Sequence, residues 1–173
     1  DAYDRESMGA STERYNERFG ISREAQDAVA ARSHQRAAAA QAAGIFDAEI
    51  VAVDVPQRRG ESIRVTADEG IRPETTTETL ATLRPAFAEG GTLTAGNSLQ
   101  ISDGASAVVL TTRSHADEQG WPVLAVVGAS GQVAGPDNSL HAQPARAIQA
   151  ALDREGLDAS ALDFVEINEA FGA

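Results

Sequence analysis

The chain has 173 residues, 42% of them hydrophobic, which is enough to bury the core of one domain or of parts of two. Its formal charge of −12, with no clustered basic stretch, argues against nucleic acid as a partner, because that binding neutralises phosphates with Lys and Arg. No apolar run is long enough to cross a bilayer and no signal-peptide pattern opens the chain, so a cytoplasmic protein without a membrane partner is expected.

The first third reads as helical. A helix over residues 8–19 runs into Gly20, a stop residue, and Ser22 is placed to cap a second helix over residues 23–43, with Glu24 in its first turn where the macrodipole favours an acid. That second helix carries Val29 and Ala30, Ala37, Ala40 and Ala43 on roughly one side and ends at Gly44. Residues 49–55 and 62–66 then alternate β-type side chains around a polar Pro/Gly segment, a hairpin signal. Residues 68–97 read as an irregular surface excursion with a short helical pattern at 78–83, and such long structured loops are usually functional or interfacial.

From Asp103 the rhythm changes. Residues 105–111, 123–127 and 162–167 are apolar runs of strand type, alternating with helical patterns at 114–119, stopped by Gly120, and 143–155, stopped by Gly156. The second of these helices turns Ala147, Ile148, Ala151 and Leu152 inward. Strands alternating with helices indicate a layered α/β unit, so the chain divides near residues 97–102. The last strand delivers Asn168-Glu169, and a polar pair at the carboxyl end of a buried strand is where α/β enzymes commonly place chemistry. By its local sequence Asn168 also fits a turn residue closing the strand.

There is no cysteine, which excludes disulfides and thiolate metal sites within these residues. The three histidines, His34, His115 and His141, lie far apart and offer no ligand spacing, so no metal is expected. His141 reads as a residue at the start of a helix. All 14 basic residues are Arg. In so acidic a chain, a nucleotide-bearing ligand has to be held by local arginines and backbone amides.

Six segments, in order along the chain, carry a family resemblance: Met8-Gly9; Ile21-Ser22-Arg23-Glu24-Ala25-Gln26-Asp27; Leu83-Arg84-Pro85-Ala86-Phe87; Gly91-Thr92-Leu93-Thr94-Ala95-Gly96-Asn97; Ser102-Asp103-Gly104-Ala105; and Asn168-Glu169-Ala170-Phe171. Together they resemble the thiolases, acetyl-CoA acetyltransferases and 3-ketoacyl-CoA thiolases. The resemblance implies an α/β protein, part of a five-layered αβαβα fold. Residues 1–101 would be most of its inserted loop domain, α-rich with a β-hairpin, and residues 102–173 the first part of its C-terminal α/β half. It also implies a homodimer or homotetramer. The family's nucleophilic cysteine, second cysteine and Gly-His motif have no match here, so the expectation is a truncated thiolase.

The implied chemistry is acyl transfer through a cysteine thioester, by thiolysis of a 3-ketoacyl-CoA or the reverse Claisen condensation, with acyl-CoA and CoA as partners and no cofactor beyond coenzyme A as substrate. By resemblance Asn168 holds a water that donates to the thioester oxygen, and Glu169 supports the loop without moving protons. By the same resemblance Arg72 would lie beside the adenine end of CoA, where a guanidinium stacks well on a base; a solvated loop arginine is the other reading. The resemblance also implies that Met8, Phe87, Ala95, Ala170 and Phe171 line the pantetheine channel; for Phe87 ordinary core packing is an equal reading. Ser7, Leu99 and Leu140 depart from the short-chain biosynthetic pattern and bring the chain nearer to degradative or otherwise specialised members. Two other classes stay open: a non-catalytic CoA-binding thiolase-like protein, and an assembly module.

Overall fold

A computed structural model describes residues 4–173. The chain divides into two compact units, one of residues 1–100 with 169–173 and one of residues 101–168.

The first unit begins with helices α1 (Met8–Phe19) and α2 (Arg23–Ala42). Their limits follow from capping chemistry. The Ser7 and Ser22 hydroxyls accept from the N–H groups of Ala10 and Ala25, and Gly20 closes α1 in the left-handed conformation, with φ 66°. Glu24, in the first turn of α2, has its carboxyl held below the usual carboxylate range by its backbone N–H and then by the Ser22 hydroxyl. Strands β1 (Val53–Val55) and β2 (Ile63–Val65) pair antiparallel with Val53 opposite Val65 and Val55 opposite Ile63. The hairpin is shorter than its alternating sequence predicts, and Val53, Val55 and Ile63 are exposed. Helix α3 (Thr77–Ala81) starts at a reciprocal cap between Thr76 and Thr79 and lies against α2.

The core of this unit is unusually polar. Leu93 and Leu80 are buried together with Asn16, Gln26, Asp27, Thr94 and Asn97. The Glu13 carboxylate, on α1, accepts from the N–H of Thr92 (2.7 Å), the N–H of Leu93 (2.6 Å) and the hydroxyl of Thr92 (2.8 Å). Asn97 donates to Asp27 (2.8 Å) and to the Thr92 carbonyl (3.1 Å), while its side-chain oxygen accepts from the Thr94 N–H (2.7 Å). Asp27 is also ion-paired with Arg23 at 2.7 Å, and Arg23 reaches the Leu80 and Leu83 carbonyls. Burying polar groups is tolerated here because each finds a partner. The network locks the 92–97 turn between α1 and α2. The segment that re-enters the unit after residue 168 is strapped to it: the Leu99 N–H donates to the Ala170 carbonyl and the Gly172 N–H to the Asn97 carbonyl. A Cβ on Gly172 would stand 2.6 Å from the Gln26 carbonyl oxygen, so the strap passes α2 at backbone distance.

In the second unit α4 (Arg113–Gln119) and α5 (Gln143–Glu155) form where the sequence places them, each ended by a left-handed glycine, Gly120 and Gly156. Leu152 is buried and Ala147, Ile148 and Ala151 are half-buried, so the predicted face of α5 is the one that packs. The three predicted strands are a correction. Residues 105–111, 123–127 and 162–167 form no ladder, and Val108, Val109, Leu124 and Phe164 are 81–97% exposed. A strand exists through its neighbours' hydrogen bonds, and among the described residues these runs have none. His141 lies before α5, its Nδ1 3.3 Å from the Ser139 hydroxyl, and burial lowers its pKa from the usual histidine value. No described helix is long and apolar enough to cross a membrane.

Candidate functional site

One face of α2 builds the wall of a cleft in the first unit. Val29, Ala30, Ser33, His34 and Ala37 recur at helical spacing along it, and residues 68–72, 95–100 and 169–172 enclose a cleft of about 320 Å³. The small side chains of the helix keep this wall open. Its charged and titratable lining groups are His34, Asp68, Arg72 and Glu169.

Successive residues of α2 hold the opposing segments. The Ser33 hydroxyl donates to Glu169 at 2.5 Å, and the Arg72 N–H donates to His34 Nδ1 at 3.2 Å. Gln35 donates to the Thr75 carbonyl at 3.1 Å, and the Thr75 N–H closes a turn on the Arg72 carbonyl, also at 3.1 Å. The polar core described above fixes the turn that carries Ala95. Ser98 pairs with Phe171 in an antiparallel bridge, and the Ser98 hydroxyl is buried with no hydrogen-bond partner among the described residues.

Of the residues expected from the sequence, Arg72, Ala95, Glu169 and Phe171 line this one cleft. Phe87 is joined to them through Phe171, the rings meeting edge-to-face with centroids 5.9 Å apart. Gly9 lies so close under the Phe87 ring that a Cβ there would overlap it, while the neighbouring Met8 is 46% exposed in the first turn of α1. Ala170 is half-buried and contributes its carbonyl to the strap. Asn168 belongs to the second unit and is exposed. Ser33, His34 and Ser98 were not singled out for the cleft by the sequence. The signal for the first two was present, since they share a helical stripe with Val29, Ala30 and Ala37. Among the described residues no group of three or more His, Asp or Glu side chains is arranged to hold a metal ion.

The family model "Thiolase, N-terminal domain" matches residues 1–114, and "Thiolase, C-terminal domain" matches residues 121–173. A probable acetyl-CoA acetyltransferase of Mycolicibacterium smegmatis is 51% identical over 173 residues, covering 100% of this chain and 45% of that protein. The human peroxisomal 3-ketoacyl-CoA thiolase is 51% identical over 170 residues, covering 96% of this chain and 40% of its own length. The crystal structure of a Bacillus anthracis acetyl-CoA acetyltransferase superposes with a TM-score of 0.87 at 36% identity, over 99% of this chain and 43% of that one. The chain thus spans less than half the length of the relatives it matches.

Proposed function

Because the chain belongs to the thiolase family and has its α/β fold, we propose that it is a portion of a CoA-dependent acyltransferase that cleaves 3-ketoacyl-CoA thiolytically or runs the reverse condensation. The observation that carries this reading is the convergence of Arg72, Ala95, Glu169 and Phe171, from three separate segments, on one cleft. In this proposal residues 1–101 are the loop domain and residues 102–173 the first part of the C-terminal half of a five-layered αβαβα protein, assembled as a homodimer or homotetramer in the cytoplasm. The nucleophilic cysteine comes from outside these 173 residues, which contain none.

Arg72, exposed at the cleft margin, takes the adenine or phosphate end of CoA. Ala95 and Phe171, with Phe87 and Met8 beside them and Ala170 in the strap, border the pantetheine arm. Asn168 orients a water toward the developing oxyanion; its neutral amide does so without bringing a competing charge. Glu169 is an anchor, a role supported by the Ser33 hydroxyl on its carboxylate. Coenzyme A is a substrate and no further cofactor is invoked.

Arg72→Ala in the full-length protein tests the CoA assignment. Loss of a stacked or phosphate-paired guanidinium at an exposed to partly desolvated site should weaken CoA by about 0.5–2 kcal/mol. KM for an acyl-CoA should rise while KM for its pantetheine-truncated analogue stays put. An equal penalty on both would make Arg72 a support of the fold and remove it from the nucleotide site.

A further inference from the structure

Arg72 has an exposed side chain, so where its guanidinium can reach is set by its main chain. That main chain is held to α2 at two points, by His34 at the Arg72 N–H and by Gln35 at the Thr75 carbonyl, the ends of one hydrogen-bonded turn. The two clasps differ in chemistry. The Gln35 amide donates at any pH, whereas an imidazole nitrogen accepts an N–H only while it carries no proton itself, and a doubly protonated ring presents a donor at both nitrogens.

We infer that His34 is a positioning residue for Arg72: unprotonated, it holds the Arg72–Thr75 turn against α2; protonated, it releases the Arg72 end and weakens the grip on the nucleotide portion of CoA. This rests on the reading of Arg72 given above and extends it to a residue that need not touch the ligand. The charged groups that line the cleft with His34 are Asp68 and Arg72 from the loop and Glu169 from the returning segment; residues 95–100 contribute no charge. Asp68 is engaged by the Gly70 N–H at 2.7 Å and Glu169 by Ser33, so both carboxylates have partners within their own segments or on the helix. On α2 itself the flanking Arg32 and Arg36 are exposed and do not line the cleft. Histidine is the side chain that ordinarily changes charge between about pH 5 and 8, which sets the range for the test.

The experiment compares wild type, His34→Gln and His34→Ala of the full-length protein at pH 8 and pH 5.5. Gln keeps a carbonyl acceptor that does not titrate. Without ligand, hydrogen exchange over residues 68–76, corrected for intrinsic rates, should lose about 3- to 10-fold protection in wild type on acidification, the scale of one hydrogen bond. His34→Gln should keep its protection at both pH values, and His34→Ala should lack it at both. Titration with CoA should show, beyond any loss that all three proteins share as the 3′-phosphate of CoA takes up a proton, a similar fold-loss of affinity at pH 5.5 for wild type only, while pantetheine shows none. Unchanged wild-type protection, or the same pH dependence in His34→Gln as in wild type, overturns the inference. Absence of CoA binding at either pH would instead sink the CoA reading of the cleft, and the exchange arm, which needs no ligand, would still decide whether His34 is the clasp.

Discussion

Asn168 and Glu169 are neighbours in sequence with different expected parts in the chemistry. Glu169 is tied to a helix hydroxyl and so suits holding, while Asn168, exposed and neutral, suits orienting a water where charge develops. Asn168→Ala in the full-length protein should therefore lower kcat far more than it raises KM. Loss of a direct oxyanion donor typically costs ~10²–10³ in rate, and a water held by Asn belongs at the lower end. Steady-state kinetics with acetoacetyl-CoA and a longer 3-ketoacyl-CoA checks this; an intact kcat with a large KM change would make Asn168 a substrate-positioning residue. At this scale the sequence named residues that meet at the cleft but not what holds them. Phe171 belongs to one of the six motifs and Arg72 was placed by resemblance, whereas Ser33 and His34 carried only the signal of a shared helical stripe, and which segments they hold shows only once α2 is set beside residues distant in sequence.

Among the elements, the helices were the legible part, because their signals are local: Ser22 before α2, Gly20 after α1, Gly156 after α5. The runs at 105–111, 123–127 and 162–167 have strand composition without strands, since pairing depends on neighbours that a local pattern does not contain. The polar core was also missed. Nothing in the spacing of Glu13 marks it as the acceptor for the two consecutive backbone N–H groups of Thr92 and Leu93, far along the sequence. Removing it leaves the Thr92 and Leu93 amides without that partner in a partly buried turn. Glu13→Ala should destabilise the full-length protein by about 1–3 kcal/mol in denaturant titrations. A change confined to a few tenths would show that water replaces the carboxylate at no net cost.

The whole molecule exposes 13308 Å². Within the second unit the strand-type runs that form no ladder are open segments that contribute to it. Ile101, Val109, Leu124 and Phe164, each at least 85% exposed, are among its apolar contributors. Covering of these faces by the remainder of a protein about twice as long fits the proposal, and it makes the isolated chain a poor catalyst in prospect. With no cysteine it should show no CoA-dependent cleavage of acetoacetyl-CoA above the uncatalysed rate. Turnover by preparations free of contaminating thiolase would sink the thiol mechanism for this chain.

The strap from Ala170–Gly172 onto Asn97–Leu99 has a bearing on biosynthesis. A ribosome delivers all of residues 1–100 long before Gly172, yet the Leu99 amide and the Asn97 carbonyl await partners beyond the whole of Ile101–Asn168. Closing so long an interval carries a loop entropy that the local helices never face. The first unit should thus emerge as capped helices around an unfinished edge and become protease-resistant only when its last hydrogen bonds arrive. Stalled nascent chains ending before and well after Gly172 should differ sharply in resistance at residues 92–100. Equal resistance would mean that the unit matures without waiting for its own closing stitch.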